Sequence, residues 1–324
     1  MNNDELNKPD GNDNNQLPPV APNPFKKPDL KSAQLLFLVV FLLLIIFGSM
    51  AQAWHFQYGM IITQLFIILL PALVYWKRFK PAQSSFSRFA SLKIKYLPAI
   101  LIMAVSFWVI NMVFATGLVF GLMEIGYEPI VAIEPPQTLQ QYLSYIVVLV
   151  IFAGICEEVL FRGTIMPAME DHGLVAAIVY SSLLFALLHV SLLNLVSTFV
   201  LGVVMAVIVI KTGSIWGAII YHMINNFIAA TYLYIAGQYE TTAEVELQGL
   251  LALLPFFILG LVGAWLGLRL LHRQSGSAIL LRNGEQWLPK GWFAWPFVVG
   301  VILYLFMVLL ELAVGFKWID ISMV

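Results

Sequence analysis

Charge is what this chain has least of. Only 11% of its 324 residues are Asp, Glu, Lys or Arg, against 60% hydrophobic residues. That balance excludes a soluble globule, which would need far more polar surface to cover itself. Cysteine is nearly absent as well. Cys156 stands alone, so an internal disulfide and a multi-cysteine metal site are both excluded, and its place beside Glu157 reads as packing. There is no H-E-x-x-H run of the kind that binds zinc on one helix. No repeat of fixed period and no inverted halves are found, which disfavours a transporter. With a formal net charge of −1, no nucleic-acid partner is expected.

What the chain does have is long apolar runs. Crossing about 30 Å of hydrocarbon takes roughly 20 residues of helix. Nine runs qualify, at about 34–54, 58–76, 97–123, 139–168, 173–191, 195–210, 214–236, 249–271 and 294–316. They are continuously apolar instead of alternating, so helices and not a barrel are expected. The reading is therefore an all-α, polytopic membrane protein of about nine transmembrane helices. Residues 1–32, rich in Asn, Asp and Pro, are expected to form a disordered cytoplasmic tail. Three helices are expected over 33–138, a core over 139–236, and further helices over 237–324. Ala51-Gln52-Ala53 resembles a signal-peptidase site, but the long polar lead before the first run favours a retained helix.

Basic residues collect in cytoplasmic loops, and they orient the chain. With the N-terminus inside, all but Lys317 of the 17 Lys and Arg residues fall on the inner side or at inner turns. The segments carrying Glu124, Glu128 and Glu134, and Glu240, Glu244 and Glu246, contain no Lys or Arg and fall outside. Trp287, Trp292 and Trp295 read as an interfacial belt. Gly263 with Gly267, and Gly202 with Ala206, are spaced for close helix packing.

Three polar clusters interrupt the apolar sequence: Glu157-Glu158 with Arg162, then His189, then His222 with Asn226. An ionisable group in the bilayer core is costly by at least a few kcal/mol and usually faces a cavity with work to do. Residues four apart share a helix face, so Glu158 and Arg162 are expected to pair. Glu157 points about 100° away and has no such partner nearby in sequence. It is placed to hold water and to act as general acid and base. His222 and Asn226 also share a face, suited to donating hydrogen bonds to an oxyanion. Counted along each helix, all these residues fall in the central part of the bilayer. Helix-to-helix hydrogen bonding is the non-catalytic alternative for each cluster.

Glu157-Glu158-Val159-Leu160-Phe161-Arg162 resembles the E-E-x-x-x-R motif of the CPBP family, also called Abi, which includes type II CAAX prenyl endopeptidases and bacteriocin-processing enzymes. Phe185 to His189 resembles its F-x-x-x-H motif, and His222 to Asn226 its H-x-x-x-N motif, in the same order. Thr212-Gly213-Ser214-Ile215-Trp216 is similar to the turn before the last motif. The resemblance covers roughly 140–235 and implies an intramembrane endopeptidase with its buried site in the fourth to seventh helices. By that resemblance Glu157 activates water with His189, His222 and Asn226 stabilise the oxyanion, and Glu158 with Arg162 supports them. A zinc ion held by Glu157, Glu158, His189 and His222 is the alternative; the metal-free route is preferred because adjacent helical carboxylates do not easily address one ion. Asn225 stands ready to replace Asn226 if the helix is rotated.

The expected partners are the lipid bilayer and a membrane-associated or lipidated peptide or protein. The expected location is the cell membrane, a prokaryotic plasma membrane, with the N-terminus cytoplasmic. The rival readings are a non-catalytic scaffold or bacteriocin-immunity protein, and a transporter.

Overall fold

The computed structural model describes residues 28–79, 87–130, 133–238, 247–276 and 291–319. Among them the apolar runs fold as rods: α1 Leu30–Trp54, α2 Phe56–Phe79, α3 Ile94–Met123, α4 Leu139–His172, α5 Leu174–Leu188, α6 Leu192–Thr212, α7 Ile215–Ala236, α8 Gln248–Ser275 and α9 Trp295–Gly315. The chain is an all-α polytopic membrane protein. Eight of the nine rods are long and apolar enough to cross a membrane. The exception is α5, whose 15 residues reach about 22 Å. The expected run 173–191 is cut at both ends: Gly173 turns the chain at φ 116°, and Val190 adopts φ 50° just past the helix.

Local chemistry explains where the rods begin. Asp29 and Ser32 form a capping box, with Ser32 N donating to Asp29 Oδ1 at 2.7 Å, so helix starts within the segment expected to be tail. The rest of that tail, residues 1–27, lies outside the described residues. Thr138 and Gln141 form a second capping box at the start of α4. Pro98, Pro255 and Pro296 sit in first helical turns, where a missing N–H costs nothing.

Glycine lets the rods approach. In α8, a Cβ on Gly267 would stand 2.5 Å from Met103 Cγ and 3.3 Å from Ala99 O, so α8 lies directly on the backbone of α3. In α6, a Cβ on Gly202 would meet Ser182 Cβ at 2.9 Å, which joins α5 and α6 as a tight hairpin. Without a hydrophobic drive between helices in lipid, such close contact is a main source of association.

The two ends of the bundle differ in charge. At one end Arg88 pairs with Glu170, Lys95 Nζ donates to Gln274 O at 2.8 Å, and Lys211 lies 3.4 Å from His272 Nδ1. Ser214 Oγ donates to Ala90 O at 2.7 Å, tying the 87–96 segment under α7. At the other end Lys317 pairs with Glu128, and Tyr145 OH donates to Glu134 O at 3.0 Å. Lys80, Arg282, Lys290 and the acidic residues 240, 244 and 246 lie outside the described residues. The expected tryptophan belt is revised. Trp292 is buried, its ring 4.8 Å from Tyr180 and its carbonyl accepting from Gln34 Nε2 at 3.0 Å, because Gln34 needs acceptors inside the bundle. Trp295 is exposed, and Trp287 lies outside the described residues.

Replacing Gly267 with Ile should push α8 off α3 and destabilise the protein by about 1–3 kcal/mol, the usual cost of overpacking. Thermal unfolding in detergent should show a lower midpoint for Gly267→Ile and little change for a lipid-facing control such as Leu266→Ile.

Candidate active site

Two π-helical stretches of α4, Ile146–Phe152 and Phe161–Ile165, flank the α-helical turn pair that carries both glutamates. Such wide turns leave backbone carbonyls available and often mark functional sites. Glu158 and Arg162 are fully buried. Glu158 Oε1 accepts from Arg162 Nη1 at 2.8 Å and from His222 Nδ1 at 3.0 Å. Arg162 Nη2 donates onward to the carbonyl of Gly202 at 2.9 Å, and its guanidinium lies 4.7 Å over the ring of Phe185. One carboxylate therefore fastens α4 to α7, and the arginine paired with it fastens α4 to α5 and α6. Among the described residues, Glu158 Oε2 and Arg162 Nε have no hydrogen-bond partner.

Phe185 is the hinge between the two histidines. Its ring meets His189 at 4.8 Å and His222 at 5.8 Å, both edge-on. His189 caps the end of α5 instead of lying within a span, and its Nδ1 donates to Phe185 O at 2.8 Å. The carbonyl acceptor requires the proton on Nδ1, so neutral His189 offers the lone pair of Nε2. The carboxylate that receives His222 Nδ1 likewise places a proton there.

Glu157 is only part-buried and bonds away from this cluster. Its Oε1 accepts from Gln64 Nε2 of α2 at 2.9 Å. Asn226 lies one turn beyond His222 and donates from Nδ2 to the carbonyl of Leu149 at 2.8 Å, within the first π-helical stretch. Asn225 Nδ2 donates to Asn226 Oδ1 at 3.2 Å, which fixes which way the Asn226 amide faces. The second N–H of Asn226 is then available to a ligand. Polar groups thus grade from the sealed Glu158, Arg162 and His222 to the accessible Glu157, Asn226 and His189.

Among the described residues, no group of three His, Cys, Asp or Glu side chains could hold a metal ion. Glu158, one of the four residues of the zinc alternative, spends its bonded oxygen on Arg162 and His222.

Two contributors went unmarked in the sequence. Gln64 sits inside an apolar run, and nothing in its spacing ties it to α4. Glu311 did carry a signal, being an ionisable residue within the last apolar run. Its carboxylate accepts from Ser191 Oγ at 2.8 Å and from Leu192 N at 2.7 Å. It caps α6 from another helix and clamps the turn after His189, where Val190 takes its positive φ. Tyr304 of the same helix adds a bond from its hydroxyl to Ser191 O at 3.1 Å.

A family model, type II CAAX prenyl endopeptidase Rce1-like, matches residues 139–228. Over that stretch the chain is similar to this family. No curated protein and no solved structure matches the chain. The Rce1-like region contains Glu157, Glu158, Arg162, His189, His222 and Asn226, whereas Gln64 and Glu311 reach it from helices outside the match.

Removing one partner of a buried ion pair leaves the other uncompensated, at a cost of about 3–5 kcal/mol. Arg162→Ala should therefore lose most of its folded yield, and Glu158→Gln/Arg162→Met should recover part of it, as measured by size-exclusion profile and unfolding midpoint. Glu311→Ala removes two charge-assisted bonds and should destabilise the α5–α6 turn by about 2–3 kcal/mol. Faster hydrogen exchange confined to residues around 189–193 would check it, and exchange unchanged there would refute the clamp.

Proposed function

We propose that this chain is an intramembrane endopeptidase that hydrolyses a peptide bond with a water molecule activated by Glu157 and His189. The observation that carries the reading is the division of labour between adjacent carboxylates. Glu158 is sealed and bonded to Arg162 and His222, while Glu157 is part-accessible and, among the described residues, bonded through one oxygen to a neutral amide. A general base must keep a free lone pair beside its water, and Glu157 does.

In this reaction Glu157 takes a proton from the water as its oxygen attacks the scissile carbonyl carbon. His189, with Nδ1 turned to Phe185 O, offers Nε2 to the same water. The negative charge that forms on the carbonyl oxygen is met by the second N–H of Asn226 and by His222. Because His222 Nδ1–H already faces Glu158, its Nε2 donates only when the ring carries both protons. Glu158 is then the counter-charge beside it. Collapse of the tetrahedral species breaks the C–N bond, and the proton held by Glu157 goes to the departing amine. No step calls for a metal.

The substrate is a membrane-associated or lipidated peptide or protein, with a prenylated C-terminal peptide the class suggested by the family. On this reading the basic end of the bundle is the cytoplasmic one, so α1 starts on the cytoplasmic side of a cell membrane. Arg88, Lys95 and Lys211 lie on that side.

The test is cleavage of a quenched membrane-peptide library by the purified protein and by Glu157→Gln. Loss of the general base should lower kcat by about 10²- to 10⁴-fold. Cleavage that survives in the variant would refute the role of Glu157, and no cleavage by either protein would favour a non-catalytic scaffold or immunity function. Inactivation by a chelator with recovery on zinc would replace the metal-free mechanism by the metal-dependent one.

A further inference from the structure

The wide π-helical stretch Thr63–Leu69 of α2 carries a buried amide, Gln64, in an otherwise apolar setting. A glutamine has four hydrogen-bonding sites, and burying it without partners is costly. Among the described residues Gln64 has one hydrogen-bond partner, Glu157 Oε1, reached by its Nε2 at 2.9 Å. Its own Oε1 is buried and has no partner among them. Ordinary packing would not place a half-satisfied amide against a carboxylate; an apolar residue there would stabilise α2 against α4 at less cost. The arrangement makes sense if the amide serves the carboxylate.

We propose that Gln64 is a positioning residue for the proposed hydrolysis: its Nε2 fixes Oε1 of Glu157, so that the second carboxylate oxygen is the one presented to the attacking water. The inference rests on the reading of Glu157 as the general base, and it assigns a role to a helix outside the Rce1-like stretch. A carboxylate held by one neutral donor keeps a single rotamer without losing its charge, whereas a cation in the same place would quench it as a base. The chemistry around Glu157 supports the choice of a neutral partner. The packed face of α2 at Thr63–Leu69 and the stretch Ile146–Phe152 bring no ionisable group. The same helix supplies Glu158, Arg162 and Cys156, of which Arg162 and Cys156 feel the Glu157 charge. From α7 comes His222, bonded to Glu158, and from the end of α5 comes His189, bonded to Phe185 O. Gln64 is thus the one direct hydrogen-bond donor to Glu157 among the described residues.

Gln64→Leu and the similarly long Gln64→Met are the variants, the second in case the branched side chain does not fold. Each should lower kcat by about tenfold or more with KM little changed. A merely structural glutamine would lower the folded yield and leave the kcat of the folded fraction where it is. Infrared difference spectra at one fixed pH read the same link without any turnover, the Glu157 carboxyl band being identified by its loss in Glu157→Gln; that band should change frequency in both Gln64 variants, because its Oε1 loses the bond from Nε2. A band at one frequency in wild type and in both Gln64 variants would overturn the proposal, even if wild type cleaves. A shifted band in a protein that cleaves no peptide would support the Gln64 link and sink the protease reading instead.

Discussion

A charged pair sealed inside apolar helices sets the terms for everything around it. Glu158 and Arg162 lie one helical turn apart, and neither touches solvent. Neither ion could be held there alone, since the desolvation of each is repaid only by close pairing and further bonds. Those further bonds decide the fold around the site. His222 must come from α7, the Gly202 carbonyl from α6, and the Phe185 ring from α5, because each satisfies a remaining donor, acceptor or face of the pair. Gly202 meets this need by having no side chain, which lets α6 press against Ser182 and bring its carbonyl within reach.

The same constraint separates two chemically identical side chains. Adjacent glutamates on one helix point in different directions, so only one can join the sealed pair. Glu158 is spent on structure and Glu157 is left at the accessible edge with a neutral donor. Orientation of the histidines follows a similar logic. Each spends Nδ1 on an acceptor that fixes its ring, a backbone carbonyl for His189 and a carboxylate for His222. The acceptors differ in charge, a neutral carbonyl beside His189 and a carboxylate beside His222.

Helices outside the family match complete the site from two directions. Gln64 on α2 reaches Glu157, and Glu311 on α9 clamps the turn that follows His189. The positive φ of Val190 and the early end of α5 belong to that clamp: a carboxylate at the start of α6 gives the Leu192 N–H a partner and holds the tight reversal in place.

Much of this was legible from the chain alone. The length of the apolar runs follows the thickness of hydrocarbon, so their helical character could be read directly, while eight and not nine of the described helices are long enough to cross. The spacing of Glu158 and Arg162, and of His222 and Asn226, is a property of helix geometry and needs no neighbour. The tertiary structure alone decided that α5 stops short of a full crossing, since a helix end set by a turn and a distant glutamate leaves no mark in hydropathy. It also decided that Trp292 is buried, that Asn225 orients Asn226, and that Gln64 and Glu311 reach the site. Each of these joins residues far apart in the chain, where periodicity carries no information, and each exists because a buried polar atom must find its partner wherever the folded helices bring one.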